Sequence, residues 1–378
     1  MKIALRSKIR TFILAASLFA GLGFVTHATA QDLIWETFLI DLNSNTARQL
    51  GSLGGGVTDA QAINDAGQVV GSYSLQGSAP GAWDHAFITG PDGVGMRDLG
   101  TLGGNRSWAN GINGAGQVVG YSDTASGMIH AFITGPDGLG MRDLGTLGGV
   151  QSIASDINDA GQVVGFSERA GGESHAFITG PNGESMRDLG TLGGNNSGAT
   201  GINAAGQVVG ASETTNGPNH AFVTSPEGVR MMDLGTLGGV GSSASDINDA
   251  GQVVGYSTTP DDLHAFMTGP NGESIRFLDT LGGNYSYASG INDAGQVVGF
   301  SSTSTSAAAF ITGANGTGVT DLNSLVDPDG VWLYTALDIN NAGQVIAVGL
   351  IPEPESYAMV LAGLGLLGFT ARRKRPLG

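Results

Sequence analysis

The nine residues INDAGQVVG occur at 63–71 and return unchanged at 157–165, 247–255 and 291–299, with near-copies at 112–120 (INGAGQVVG), 202–210 (INAAGQVVG) and 339–347 (INNAGQVIA). A catalytic site is needed once. A segment copied at intervals of 44 to 49 residues is a building block, and it restricts the chain to architectures that stack or close repeated units. Two more markers keep the same step. HAF stands at 85–87, 130–132, 175–177, 220–222 and 264–266, with AAF at 308–310. DLGTLGG begins at 98, 143, 188 and 233, with LDTLGG at 278–283.

Each unit offers four short strand candidates: the segment before Ile-Asn, then GQVVG, then HAFIT, then MRDLGTL. Gly, Pro, Asn and Asp punctuate them. Asn-x-Ala-Gly between the first two reads as a tight hairpin whose Gly takes a positive φ. Four strands in about 45 residues is the blade of a β-propeller. A parallel β-helix is the rival, but this period would need two coils per repeat. ETFLI (36–40) and ARQLGSLGG (47–55) align with HAFIT and MRDLGTLGG, while the chain's last repeat supplies only TALDIN and GQVIAVG. The expectation is an all-β, seven-bladed propeller of four-stranded antiparallel blades, closed by joining N- and C-terminal half-blades so that no sheet edge stays open. The three markers, in this order over residues 36 to 349, resemble the HAF-repeat extracellular proteins; that resemblance implies a scaffold and little about activity.

Residues 31–350 contain eight arginines and no lysine against 31 acidic residues, a net −23. Such a surface repels phosphate backbones and argues against nucleic-acid partners. Cysteine is absent, which removes disulfides, thiolate metal sites and cysteine nucleophiles. The remaining basic residues sit at the ends. Residues 1–30 have a basic start, an apolar run and Ala28-Thr29-Ala30, which reads as a signal peptide cleaved between Ala30 and Gln31. Residues 351–378 contain Pro352-Glu353-Pro354, an apolar run at 357–371 and the cluster Arg372, Arg373, Lys374, Arg375. As a helix the run spans about 22 Å, short for a bilayer core of about 30 Å, and its basic flank should stay cytoplasmic. The arrangement resembles the PEP-CTERM sorting signal of Gram-negative bacteria that make exopolysaccharide. It implies processing by an exosortase-type enzyme, transient anchoring in the inner membrane by the C-terminus, and a final place in the envelope or extracellular matrix, such as a biofilm.

The candidate sites are weighed against that repetition. The five HAF histidines occupy equivalent places in separate units, so hydrogen bonding between loops is expected of them and metal binding is not. GTLGGN loops lack the Lys and Ser/Thr of a phosphate cradle, and the G-x-G-x-x-G at 363–368 lies in the apolar tail with no preceding strand. No cofactor is expected; calcium is considered at the turn residues Asp65, Asp159, Asp249 and Asp293 and at the second acidic turn Asp327-Pro328-Asp329-Gly330, and no EF-hand spacing supports it. The copies disagree four residues before the repeated Ile, at Asp59, Trp108, Ile153, Gly198, Ser243, Tyr287 and Thr335, and two residues further back, at Arg106, Gln151, Asn196 and Tyr285. Insertions add Trp83 and Trp332. Trp83, Arg106, Trp108, Tyr285, Tyr287 and Trp332 are therefore the candidate ligand-binding residues, on a face where sugar rings could stack; packing between blades is the competing role. The function expected is a non-enzymatic envelope or matrix protein that binds exopolysaccharide. A glycan hydrolase or lyase using Asp59 with Asp327 or Asp329, and a protein-binding adhesin, are the alternatives.

Overall fold

The computed structural model describes residues 34–351 except 55, 75–84 and 327–329. The signal peptide (1–30) and most of the C-terminal signal (351–378) lie outside them. Each repeat becomes four antiparallel strands in chain order, as in Gly148–Ile157, Val163–Arg169, Ser174–Ile178 and Arg187–Gly190. The same succession builds each of the other sheets. Two of these four-stranded groups are joined by one parallel bridge, Leu263 to Tyr285. One sheet is composite: Ile34–Asp41 lies between Thr46–Gln49 and Gln344–Ile351, and the latter pairs with Trp332–Ile339. Its register runs from Ile34 opposite Ile351 to Asp41 opposite Gln344. The first strands of successive sheets contact one another, Trp332–Ile339 with Thr58–Ile63 included. They are innermost, and the short fourth strands lie outside. The fold is all-β and built of four-stranded antiparallel sheets, which is β-propeller construction.

The phenylalanines of the HAF and AAF triplets make the core. Phe87, Phe132, Phe177, Phe222, Phe266 and Phe310 are fully buried. Each sits between two sheets: Phe177 packs with Ala154, Ile157 and Val163 of its own sheet and with Val119, Ala131 and Ile133 of the one before. Truncating a ring of this kind costs about 3–5 kcal/mol.

The repeated hairpin is held from within and from the next sheet. Gly161 has φ 73°, and a Cβ there would stand 2.7 Å from the Asn182 nitrogen, so glycine is required twice over. Asn158 is buried. Its Oδ1 accepts from the Gln162 N–H (3.0 Å), and its Nδ2 donates to Gln162 Oε1 (2.9 Å) and to the Asn203 carbonyl of the next sheet (3.0 Å). Every repeat does the same. Asn64 donates to the Asn113 carbonyl, Asn113 to Asn158, Asn203 to Asn248, Asn248 to Asn292 and Asn292 to Asn340. Asn340 then donates to the Asn64 carbonyl at 2.8 Å, and the circuit returns to its start.

A second set of bonds runs beside it. Where an aspartate follows that Asn, it accepts a backbone N–H from the preceding sheet: Asp159 from Gly114 (2.8 Å), Asp249 from Ala204 (2.9 Å), Asp293 from Asp249 (3.0 Å) and Asp65 from Asn341 (2.8 Å). These are the hairpin aspartates considered for calcium; each spends a carboxylate oxygen on a neighbouring sheet. Serine supplies a third link, since Ser152 Oγ accepts from Ala131 N–H of the preceding sheet and donates to the carbonyl of Gly145, in the connection that leaves it.

Asn158→Asp would point an oxygen at two oxygen acceptors. It is expected to lower the unfolding free energy by about 2–4 kcal/mol, whereas Asp159→Asn keeps an acceptor for Gly114 and should cost under about 0.5 kcal/mol. Guanidinium unfolding of both variants measures the difference.

Candidate functional site

Just before the repeated Ile the sheets carry Ala62, Gly111, Asp156, Gly201, Asp246, Gly290 and Asp338. The three aspartates lie on the innermost strands, and each clamps two sheets with both carboxylate oxygens. Asp156 accepts from its own Ile157 N–H (2.8 Å) and from Ile202 N–H of the next sheet (2.9 Å). Asp246 takes Ile247 and Ile291 (2.7 and 3.0 Å), and Asp338 takes Ile339 and Ile63 (2.8 and 3.0 Å). The intervening glycines make room: a Cβ on Gly290 would come within 2.9 Å of Asp338 Oδ1.

These side chains are partly open to the space between the inner strands and crowded by protein elsewhere. Burial pushes the Asp156 carboxyl up to about 6 and that of Asp338 up to about 7. Burial, with the charges of Asp338 and Asp156, holds Asp246 well above the ordinary carboxylate range. Among the described residues no three or more His, Asp or Glu side chains are arranged to hold a metal ion. Sequence reasoning missed these three aspartates. Their signal was the alternation of Asp and Gly in that one column.

The HAF histidines stand at the outer part of the sheets. His85, His130, His175 and His220 bond through Nδ1 to Asp98, Asp143, Asp188 and Asp233, thirteen residues on in the same sheet, at 2.8–3.0 Å. Each of those aspartates also caps its own turn, as when Asp143 accepts from Gly145 N–H. The bond expected between adjacent loops is thus made within a sheet. In one repeat Phe277 replaces the aspartate, and His264 meets its ring edge-on at 5.3 Å.

Aromatic side chains gather at the end of the sheets opposite the Asn hairpins. Tyr287 stacks on Phe300 (5.2 Å between centroids), and its hydroxyl meets Thr335 Oγ1 of the next sheet at 3.2 Å. Tyr285 lies edge-on to both rings, and Phe300 leads to Tyr334 and Tyr334 to Trp35. Trp332 belongs to the same composite sheet and donates its Nε1–H to the Ala307 carbonyl at 2.7 Å. Trp108 lies in a different sheet, stacked on its cross-strand neighbour Tyr121. Beside it the exposed Arg106 donates from Nε to Asp123 at 2.9 Å, an ion pair that raises the guanidinium further. The structure therefore places Tyr285, Tyr287 and Trp332 in two neighbouring sheets and Arg106 with Trp108 in a third. Tyr287 is half-buried and touches the next sheet, so it packs as well as presents. Trp35 and Tyr334 were not singled out from sequence. Asp59 is on an inner strand; its suggested companions Asp327 and Asp329, together with Trp83, Ala30, Gln31, Pro352, Glu353, Pro354, Arg372, Arg373, Lys374 and Arg375, lie outside the described residues.

Residues 350–375 match the PEP-CTERM protein-sorting motif. That motif marks an exported protein handled by an exosortase and delivered to the cell envelope, and it begins on the last two residues of the composite sheet. No curated protein matches the chain. Among solved structures it is similar to a putative TolB from Agrobacterium tumefaciens, at 10% identity and TM-score 0.50, covering 85% of this chain and 100% of that one. It is less similar to TolB from Acinetobacter baumannii (10% identity, TM-score 0.44, 75% and 61% covered) and to the β-propeller domain of the Trilobed protease from Pyrococcus furiosus (10% identity, TM-score 0.39, 72% and 99% covered). At such identities the likeness is one of fold.

The three inner carboxylates make stability depend on pH in a set direction. Their folded pKa values lie above the unfolded value, so the folded chain holds these protons more tightly. Their contribution is largest below the unfolded value of about 3.9 and is lost as pH rises through 6 and 7. Replacing them with the glycine of the alternate repeats (Asp156→Gly, Asp246→Gly, Asp338→Gly) should flatten the fall in unfolding free energy between pH 5 and 8 by on the order of 3 kcal/mol. Urea unfolding of parent and variant at both pH values checks it.

Proposed function

We propose that the sheets are the seven blades of one closed propeller, in a HAF-repeat protein exported by a Gram-negative bacterium. It serves in the envelope or matrix without enzymatic activity, and its aromatic face binds exopolysaccharide. The reading of closure is supported by the Asn circuit and by the register of Ile34–Asp41 with Gln344–Ile351. The observation that carries the envelope role is the sorting motif abutting the composite sheet. A scaffold role is further supported by how the repeated polar residues are used: Asn158, Asp159, Ser152 and His175 and their equivalents bond to protein atoms that hold sheets or turns together. What is free to differ lies at the other end, where Arg106 and Tyr285 are exposed. Exposed rings beside polar and charged side chains such as Arg106 suit pyranose stacking with hydrogen bonds to sugar hydroxyls. The tail, once inserted, would hold the protein at the inner membrane until an exosortase-type enzyme acts near Pro352-Glu353-Pro354.

The test is equilibrium binding of the purified protein to the producing organism's own exopolysaccharide, alongside an Arg106→Ala, Tyr285→Ala variant. Both side chains are exposed, so their loss leaves the inter-sheet contacts of Tyr287 in place. The expected result is saturable binding that the double variant weakens about tenfold, or 1.4 kcal/mol. Absence of saturable binding by the parent would refute the glycan ligand.

A further inference from the structure

At the end of the composite sheet far from the Asn hairpins, Trp35, Leu350 and Trp332 stand directly opposite one another across three strands. Residues paired this way point to the same side of a sheet. Trp35 is 39% exposed and Trp332 40%, both unusually open for indole rings. Tyr334 packs edge-on to Trp35 at 5.2 Å, and Phe300 continues the row to Tyr285, itself 36% exposed. Burial pushes the phenols of Tyr285 and Tyr334 up, so both rings stay neutral.

Charge is thinned in the same sector. In other repeats the end of the second strand and the loop after it carry Asp123, or Glu168, Arg169 and Glu173, or Glu213, or Asp261 and Asp262. In the repeat beside the composite sheet the same stretch is Ser301-Ser302-Thr303-Ser304-Thr305-Ser306, with no charge. The aromatic row Trp35, Tyr334, Phe300 and Tyr285 contains no charged side chain.

The chain leaves the sheet at this patch. Ile351 pairs with Ile34, and only Pro352-Glu353-Pro354-Glu355-Ser356 separate it from the apolar run at 357–371. Even fully extended, that connection spans at most about 20 Å. Whenever the apolar run is in a bilayer, this end of the composite sheet is held against the lipid headgroups. Trp and Tyr are the side chains that settle at that level, apolar body towards the chains and N–H or O–H towards water.

The geometry points to Trp35, Trp332, Tyr334 and Tyr285 as a membrane seat. Through it the unprocessed protein rests on the phospholipid headgroup layer, with the Asn hairpins facing away. The seat depends on the tail being inserted and not on any glycan. The acidic remainder of the surface opposes anionic lipid, so the contact is apolar and interfacial and needs no lipid charge.

The full chain, reconstituted into phosphatidylcholine vesicles, tests this by tryptophan fluorescence with plain against brominated acyl chains. Flotation first reports whether the tail holds the protein on the vesicles. The expected result is flotation, with emission quenched in brominated vesicles. Trp35→Phe, a ring-for-ring change that keeps an aromatic contact for Tyr334, should remove part of that quenching. Trp35→Phe with Trp332→Phe should remove most of it, near-ultraviolet dichroism confirming the fold of both. Flotation without quenching, or quenching that survives the double variant, would overturn the seat alone. Failure to float would overturn the seat together with the reading of the tail.

Discussion

Each sheet depends on an amide reaching across to its neighbour. Asparagine is the side chain that can do this here, because the same residue must accept the Gln162 N–H, donate to Gln162 Oε1 and still donate to the Asn203 carbonyl. Aspartate has no donor and leucine has neither function. Once every hairpin carries that amide, the inner strands are set at one spacing. The Phe packing, the serine links and the aspartate clamps follow from that spacing. A buried polar network of this kind is worthwhile only when every member is satisfied, and all seven repeats retain both Asn and Gln.

The hairpin, its glycine, the four strands per unit and the buried phenylalanines were legible because they are local and periodic. The partners of Asn158 and Asp159 were not. Repetition shows that a letter is held constant without showing what holds it, and Asn and Asp have a sufficient local reason to occupy turns. Their actual partners are one repeat away, or 276 residues away where Asn340 meets Asn64. The inner aspartates were hidden differently. Asp156, Asp246 and Asp338 alternate with glycine, so the column looked like variation when it is a clamp beside a vacancy. For histidine the structural role was readable, but Asp188 as the partner of His175 required knowing which strands pair.

The aromatic residues divide along similar lines. Tyr285, Tyr287 and Trp108 stood out because the surrounding letters are copied so closely. Trp35 and Tyr334 did not, since they belong to the composite sheet, where half a repeat comes from each end and no single aligned column holds both. Their proximity to Trp332 and Phe300 is a product of strand pairing between chain termini. One end of the sheets is thus devoted to identical contacts from repeat to repeat, and the other is where the repeats were free to diverge.

The composite sheet also imposes an order in time. Ile34–Asp41 is the first described strand to emerge from a chain delivered N-terminus first, and its long partner Gln344–Ile351 is the last. Until that partner arrives, the early strand has only the short Thr46–Gln49 hairpin, and its other edge offers unpaired N–H and C=O groups. Contacts of such separation are slow to form. Exchange of this strand between two neighbouring chains at the same stage would satisfy the same register. The arrival of Ile351, at the threshold of the sorting motif, ends that interval.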